Sequence, residues 1–566
     1  MNVAVDAFYD KLFLIISKYT PLTADDSKKY PIWFSSSLKN CLLEKNKFHN
    51  RYKKYKNPRD YDTFSLLRAR CKELMSSCYQ NFISATEDSL TADTKAFWRF
   101  INNKRNSRSI PFTVKLGDES CSDLDSICNL FATFFKSVYE EPAIGDDFEQ
   151  DSALDNSNAI SHISVTSTEV LKAISKLDIS KGAGIDQLPP KFIKECGKQL
   201  SQPLSILFNL SLKSGIFPTR WKSTLVIPVH KCGDTSLCTN YRPISIISCI
   251  PKLFEALVYE SLYFQLQPHI SDSQHGFVRN KSTLSNLLEY KNFLCKAFAM
   301  TGQVDSIYTD FSKAFDKVNH SLLLKKLAGY GIHGSLLRWV HSYLRNRSLL
   351  VSIRGAKSAP FVMCSGVPQG SHCGPLFFVA FINDLVNNIL CCCLLYADDL
   401  KIFTRIETSE DCRRLQRDIL KVSEWCISNK MSLNVSKCFV VTFTNRKNII
   451  KGSYVLDNQI LARKTSVRDL GIIFDSKLTF REHYETIVKR AYQMLGFICR
   501  STKDFKKTSS FLILYTSLVR SVLEYGSVIW SPHYSVHSER IERIQRKATK
   551  ILSYRNGQGR SLCSYQ

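Results

Sequence analysis

The sequence predicts an α+β protein, on three observations. Its two ends read as helices, its centre alternates short apolar strands with amphipathic helices, and one tight β-hairpin carries adjacent acidic residues at its tip. That hairpin is Leu394-Leu395-Tyr396-Ala397-Asp398-Asp399-Leu400-Lys401-Ile402-Phe403. The apolar run Ile389 to Leu395 reads as a strand buried on both faces, and Leu400 to Phe403 follows after a few residues. Carboxylates held together at the end of buried strands repel, and the usual reason to tolerate this is a bound divalent cation. A solvated turn, in which Asp bonds its own backbone, is the other reading of this stretch.

With 566 residues the chain has length for about three or four domains. A hydrophobic share of 44% makes it globular, not disordered. Lys and Arg number 77 against 51 Asp and Glu, a net charge of +26 that suits a polyanion such as nucleic acid better than a membrane surface. No apolar run reaches the roughly 18 residues of a membrane span, and the first residues lack the basic start and cleavage site of a signal peptide. The expected setting is intracellular, in nucleus or cytoplasm, with no membrane partner. Twenty Cys are scattered without C-x-x-C or finger spacing, and Cys391-Cys392-Cys393 on a strand would point to alternating faces. Reduced thiols acting as small hydrophobes account for them.

Taken in order, residues 1–110 read as a basic helical extension. Within it Lys39, Lys45, Lys47, Arg51, Lys53, Lys54, Lys56 and Arg59 interleave with Phe48, Tyr52 and Tyr55, a mixture suited either to phosphates and bases or to a solvated helix face. Residues 111–163 turn to Ser, Asp, Glu and Asn and read as a flexible connector. From Val165 the body begins. Lys181-Gly182-Ala183-Gly184-Ile185-Asp186 joins two helical segments but lacks the ending of a phosphate loop. Leu225–Val229 reads as a strand before Lys231, and Asn240-Tyr241-Arg242-Pro243-Ile244-Ser245 leads into a helix with Phe254, Leu257, Val258 and Leu262 on one face. Gln274-His275-Gly276-Phe277 precedes Arg279 and Lys281, basic groups ahead of another helix where phosphate contacts are expected.

Ile307-Tyr308-Thr309-Asp310-Phe311 is a strand ending in a third acidic residue, followed by Ala314-Phe315-Asp316. Two further strands precede Gly366-Val367-Pro368-Gln369-Gly370-Ser371, a rigid and closely approachable backbone with an amide aimed from it. Past the hairpin come a helix closing at Ser428, a turn with Lys437, and a strand to Thr444. Arg468-Asp469-Leu470-Gly471-Ile472-Ile473-Phe474 reads as one more strand, and the remainder is helical. In the last helix Ile541, Ile544, Ala548, Ile551 and Leu552 form one stripe, while Arg543, Arg546, Lys547 and Lys550 project oppositely as candidates for a nucleic-acid backbone. If Asp310 and the hairpin are neighbours in an antiparallel sheet, they can bracket two divalent ions and the chemistry is nucleotidyl transfer.

DFSKAFDKVNH at 310–320, GVPQGS at 366–371, NYRPIS at 240–245 and the Tyr-Ala-Asp-Asp turn occur in the order found in one family. From about residue 165 to 552 the chain resembles the reverse transcriptases of non-LTR (LINE-type) retrotransposons, in particular the jockey-like group. Pro31-Ile32-Trp33-Phe34 and Phe97-Trp98 resemble the linker that precedes the polymerase there. The resemblance implies a right-hand polymerase fold: fingers at 164–300, a palm with an antiparallel sheet at 301–460, and primer grip, helical thumb and basic C-terminal helices at 461–566. By position, Asp310, Asp398 and Asp399 would hold two Mg²⁺ ions with the backbone carbonyl of Phe311, and Mn²⁺ suits the same hard oxygens. Phe315 would exclude a ribose 2′-OH, Lys231 and Arg242 would meet the incoming triphosphate, and Gln369 and Gly370 would line the nucleotide and template pocket. Lys437 would protonate pyrophosphate, and Gly471 would belong to the primer grip. The implied partners are an RNA template, a DNA primer or target, and dNTPs.

Two departures stand out. The family usually has Pro before the Asp of KGAGID, and Ser371-His372-Cys373-Gly374-Pro375 replaces a more usual Val-Leu-Gly-Pro. An endonuclease ahead of the linker and a closing Cys/His segment, present in complete elements, are not visible in this sequence, so a portion of an element is expected. A catalytically silent nucleic-acid-binding relic is the alternative, and an RNA-dependent RNA polymerase is disfavoured by Phe315.

Overall fold

The computed structural model describes residues 1–20, 30–105, 110–140 and 160–556. Two compact units emerge, one from Met1–Tyr19 with Ser109–Thr479, the other from Thr20–Arg108 with Phe480–Gln566. These cuts differ from the boundaries expected from the sequence. The 1–110 extension is divided between the units, and the 461–566 segment is divided before Phe480.

In the first unit the strands are, in order, β1 (Val114–Leu116), β2 (Glu119–Cys121), β3 (Thr224–His230) and β4 (Tyr241–Ile246). After them come β5 (Gln303–Thr309), β6 (Arg347–Ile353), β7 (Ala356–Lys357), β8 (Phe361–Met363), β9 (Cys392–Tyr396) and β10 (Asp399–Ile406). The last are β11 (Phe439–Thr444), β12 (Val455–Leu456), β13 (Gln459–Ile460), β14 (Ala462–Lys464), β15 (Ser466–Asp469) and β16 (Ile472–Asp475). The central sheet has the order β14-β11-β5-β10-β9, with β5 antiparallel to both β10 and β11. A second sheet runs β4-β3-β6-β7, with β8 on β6.

Alternation sorts the central sheet into two faces. Ile307, Leu400, Ile402 and Val440 turn into the main core, together with Phe377, Phe378 and Phe381 of the helix Cys373–Ile382. On the other face lie Tyr308, Lys401 and Phe403, above which the helix Thr283–Ala299 places Tyr290 with its ring centroid 5.0 Å from that of Phe403.

Three expectations are corrected. First, residues 110–140 are not a loose connector: the β1–β2 hairpin and the helix Leu124–Lys136 pack Ile127, Phe131 and Phe135 on β6 and β8 in a core of their own, while the Asp- and Ser-rich 141–159 lies outside the described residues. Second, the strand expected from Ile389 starts at Cys392, and it is not buried on both faces, since Cys392 is exposed. Before it the backbone N–H groups of Leu390 and Cys391 donate to the Asp418 carboxylate at 3.0 and 2.7 Å, replacing ladder bonds. Third, the single strand expected over Arg468–Phe474 is a hairpin, folded back at Leu470 and Gly471, whose φ angles are 43° and 94°.

The second unit is helical. Ser36–Tyr55 stops at Lys56 in the left-handed region, Asn57 caps the next helix by accepting from Arg59 N–H, and Pro58 occupies its first turn. The partner helix Pro58–Ser89 runs back along the first. The face of Lys95–Arg105 that carries Phe97 and Phe100 meets Phe497 and Phe505, at centroid distances of 5.9 and 5.3 Å. Tyr79 donates to Asp504 at 2.8 Å and Lys104 pairs with the same carboxylate at 3.2 Å. These contacts explain why residues 20–108 belong with the C-terminal helices. By length and composition Thr508–Trp530 would suffice to cross a bilayer, contrary to expectation. It is nonetheless interrupted by a wider turn at Thr516–Arg520 and by Gly526 at φ 65°, and it buries Phe511, Leu514 and Val519 against neighbouring helices. Every described cysteine is a free thiol.

Candidate active site

Strand register brings the acidic residues together. Leu400 pairs with Thr309 and Lys401 with Tyr308, so continuing one step sets Asp399 beside Asp310 at the ends of β10 and β5. Asp398 precedes Asp399 in the turn, whose Ala397 is held at φ 59°. Burial pushes the Asp398 carboxyl above its ordinary range, and Asp310 adds to the shift while Arg242 and Lys231 offset it. Burial and then the charges of Asp398, Asp310 and Asp469 push Asp399 up to about 6. Lys437 donates to Asp310 Oδ2 at 2.8 Å, so one carboxylate of the row already has a cationic partner.

The strained turn rests on a cradle that sequence reading missed. Gln274, 1% exposed, accepts through Oε1 from Ala397 N–H at 3.0 Å and from Gly276 N–H at 2.8 Å. His275 N–H donates to Leu395 O at 2.9 Å, and Leu395 N–H donates to Ser273 O at 2.9 Å. Gly276 lies so close beneath that a Cβ there would stand 2.2 Å from Ala397 N. The expected phosphate-contact segment is thus a buttress for the acidic turn. Arg279 pairs with Glu260 at 2.5 Å and Lys281 with Asp272 at 3.5 Å, so both reach carboxylates of their own surface. The helix start that follows them is capped by Ser282, which accepts from Ser285 N–H.

A cleft of about 830 Å³ opens on the row, lined by Lys231, Arg242, Phe315, Gln369, Gly370 and Asp398. It has room for a nucleotide. Phe315 stacks on Phe378 at 4.3 Å and 20°, which fixes its ring at the cleft wall. Gln369 donates to Asp316 Oδ1 at 2.8 Å, and burial raises that carboxyl to about 6 despite this bond and the nearby Lys313 and Arg242. Gly370 has φ 118°, and a Cβ there would meet Ser245 O at 2.6 Å, so glycine alone fits. Tyr139 and Phe134, from the segment expected to be a flexible connector, line the same cleft. Lys313 Nζ lies 4.6 Å from the Phe134 ring centroid, and Glu140 pairs with Lys317 at 3.1 Å.

Among the described residues no three His, Cys, Asp or Glu side chains converge as a ready-made metal centre. The donor set of the row is nevertheless that of a hard cation that draws its remaining ligands from substrate phosphates. The carboxylates are oxygen donors crowded at one strand end, that of Asp399 is exposed, and those of Asp398 and Asp399 are raised. Phe311 is buried and packs against Trp425, with its ring 6.4 Å away.

Residues 229–498 match the family described as reverse transcriptase (RNA-dependent DNA polymerase). A probable RNA-directed DNA polymerase from transposon BS of Drosophila melanogaster is 24% identical over 98% of this chain and 64% of its own length. The RNA-directed DNA polymerase from mobile element jockey of the same organism is 29% identical over 69% of this chain and 44% of its own. The chain carries a reverse transcriptase domain over residues 229–498. Its mixed helix-and-sheet body is a polymerase fold, and the family as a whole works with divalent metal ions. Among solved structures, apo telomerase from Candida Tropicalis aligns with 61% of this chain and 60% of its own at 13% identity, with a TM-score of 0.36. The chain spans less than two thirds of either Drosophila relative's length. Within the reverse transcriptase domain the fold brings Asp310, Asp398, Asp399, Lys231, Arg242, Phe315, Gln369, Gly370 and Lys437 to one cleft. Gly471 adjoins Leu470, which lines a smaller cleft beside the row. Arg543, Arg546, Lys547 and Lys550 are exposed on the helix Ser535–Arg555 of the other unit.

Proposed function

We propose that the chain is an RNA-directed DNA polymerase that copies RNA into cDNA by nucleotidyl transfer. The observation that carries this reading is the row Asp310, Asp398 and Asp399 at the edge of a nucleotide-sized cleft that also holds Lys231 and Arg242. Asp310, Asp398, Asp399 and the carbonyl of Phe311 would hold two Mg²⁺ ions, which when bound activate the primer hydroxyl and neutralise the leaving pyrophosphate. Arg242 meets triphosphate oxygens with a planar fork and Lys231 adds a point charge. Phe315, braced by Phe378, fills the space a 2′-OH would need, which selects dNTPs. Gln369 and Gly370 bound the nucleotide from the opposite side. Lys437 exchanges Asp310 for phosphate and is placed to deliver a proton to pyrophosphate.

In this reading residues 164–300 supply fingers and 301–460 the palm, while the β15–β16 turn is the primer grip and the helices from Phe480 form the thumb. Arg543, Arg546, Lys547 and Lys550 face nucleic-acid backbone, with an RNA template and a DNA primer as partners. The free thiols suit a reducing nuclear or cytoplasmic compartment. Primer extension on an RNA template with dNTPs and Mg²⁺, beside an Asp398→Ala control, tests the reading. Extension by the wild type that the control lacks is expected. A wild type that binds RNA salt-sensitively without extending a primer would favour the silent relic instead.

A further inference from the structure

A buried charge pair lies one strand step behind the acidic row, and the chemistry above makes no use of it. Lys401 stands within an otherwise apolar run of β10, with its side chain 4% exposed. Its ammonium donates to Asp469 Oδ2 at 2.5 Å and lies 4.4 Å from the Tyr290 ring centroid. Tyr308, the register partner of Lys401, brings its hydroxyl 3.4 Å from the same Asp469 oxygen and 3.1 Å from the Tyr290 hydroxyl. Tyr290 in turn donates to Ser306 at 2.8 Å. Since Asp399 and Lys401 are two residues apart on one strand, they share a face. The pair therefore joins the floor under the carboxylates to Asp469, the last residue of β15 before the Leu470-Gly471 turn.

That turn belongs to a hairpin whose strands pair with each other and not with the central sheet. Its base is anchored by Thr444 N–H donating to Ser476 O at 3.0 Å. Toward the turn, the Lys401–Asp469 pair and the Tyr308 hydroxyl tie it to β10 and β5, beside the Phe474 ring 5.7 Å from that of Tyr290. Between the turn and the row lies a cleft of about 180 Å³ lined by Asp310, Asp399, Lys401, Lys437, Asp469 and Leu470. A buried ion pair is a poor source of stability but has one satisfied geometry, whereas apolar contacts would let the hairpin slide.

We propose that Lys401 and Asp469 form a latch that fixes the height of the Leu470-Gly471 turn over the acidic row, so that a base-paired primer 3′ end is gripped between them. Lys401 is then a positioning residue of the polymerase, and its primer role rests on the polymerase reading. The test uses the full chain as wild type, Lys401→Met, Lys401→Arg and Asp469→Asn. Amide hydrogen exchange over residues 466–475 reports the latch, and single-nucleotide extension with primer–template and dNTP varied separately reports its use. Lys401→Met should speed exchange at the turn and raise KM for primer–template about tenfold with KM for dNTP near wild type, while Lys401→Arg recovers both. Should Lys401→Met fail to fold, Asp469→Asn carries the same expectations. Unchanged exchange at the turn overturns the latch, and an unchanged primer–template KM, or a loss in every parameter that merely follows melting temperature, overturns its role. A wild type that extends nothing removes the polymerase reading and the primer role together, while the exchange comparison still decides the latch.

Discussion

Replacing Gly276 with alanine tests the cradle beneath the acidic turn. The glycine backbone is outside the left-handed region, so alanine introduces no torsional strain there; its cost is the close approach alone. An added Cβ would stand 2.2 Å from Ala397 N, 2.9 Å from Tyr396 C and 3.0 Å from Ala397 Cα, where ordinary contact begins near 3.4 Å. All three obstacles are backbone, so no side chain can swing aside, and the turn must move by about 1 Å, the scale of misplacement that costs on the order of a hundredfold in rate. The overpacking should also cost about 1–3 kcal/mol of stability. Single-nucleotide extension at saturating primer–template and dNTP, measured at a temperature where both proteins are folded, should show kcat lowered about a hundredfold. Gly329→Ala, at a helix position with nothing within 4 Å, is the control and should leave kcat unchanged. A Gly276→Ala enzyme as fast as the control would refute the claim that this contact positions Asp398 and Asp399.

Two more expectations concern stability. Asp316 titrates near 6 in the folded protein because it is buried, against 3.8 for an unperturbed group, so the folded state holds its proton more tightly. The stabilising contribution is therefore complete below pH 3.8 and is lost as pH rises through about 6, amounting to about 3 kcal/mol between the two plateaus at 1.36 kcal/mol per pH unit. Asp316→Asn, which still accepts from Gln369, should flatten the fall in melting temperature between pH 4 and 7 by that contribution, and a profile parallel to the wild type contradicts the assignment. Phe97→Ala removes a fully buried ring from the meeting of Lys95–Arg105 with the C-terminal helices and should cost about 3–5 kcal/mol in the unit that holds both. Limited proteolysis would show it as faster cleavage within both 20–108 and 480–566, and cleavage confined to one segment would speak against their forming one body.

How much of this could be read beforehand differs from place to place. The acidic row was legible because each carboxylate ends a short apolar run, and the turn length between Leu395 and Leu400 leaves only a hairpin. Lys437 was singled out only by the family likeness, since nothing local sets it apart from a surface lysine, and its pairing with Asp310 was not read at all. Residues 110–140 were misread because Ser, Asp and Glu dominate the composition of the whole stretch. The signal inside it was Ile127, Leu130, Phe131 and Phe135, spaced for one helix face that closes on β6 and β8. The start of β9 was hidden for another reason: Asp418, distant in sequence, takes the amides of Leu390 and Cys391 that a longer strand would have used. Gln274 looked like one more polar residue near basic neighbours. Its amide acquires a role only where the chain lays it against Ala397. Lys401 did carry a local sign, a lone charge between Leu400 and Ile402, although its partner Asp469 lies on a hairpin that the sequence presents as a single strand.

The helical unit assembled from residues 20–108 and 480–566 has a consequence for how the chain is made. The face of Lys95–Arg105 that carries Phe97 and Phe100 leaves the ribosome long before Phe497 and Phe505, and all of residues 109–479 is synthesised in between. The earlier segment must wait with its aromatic face uncovered while the intervening body folds, a delay in which chaperones would be its natural company. A message cut short between Lys437 and Phe480 would yield a product that keeps the whole acidic row, while the helices between residues 36 and 105 never find their other half.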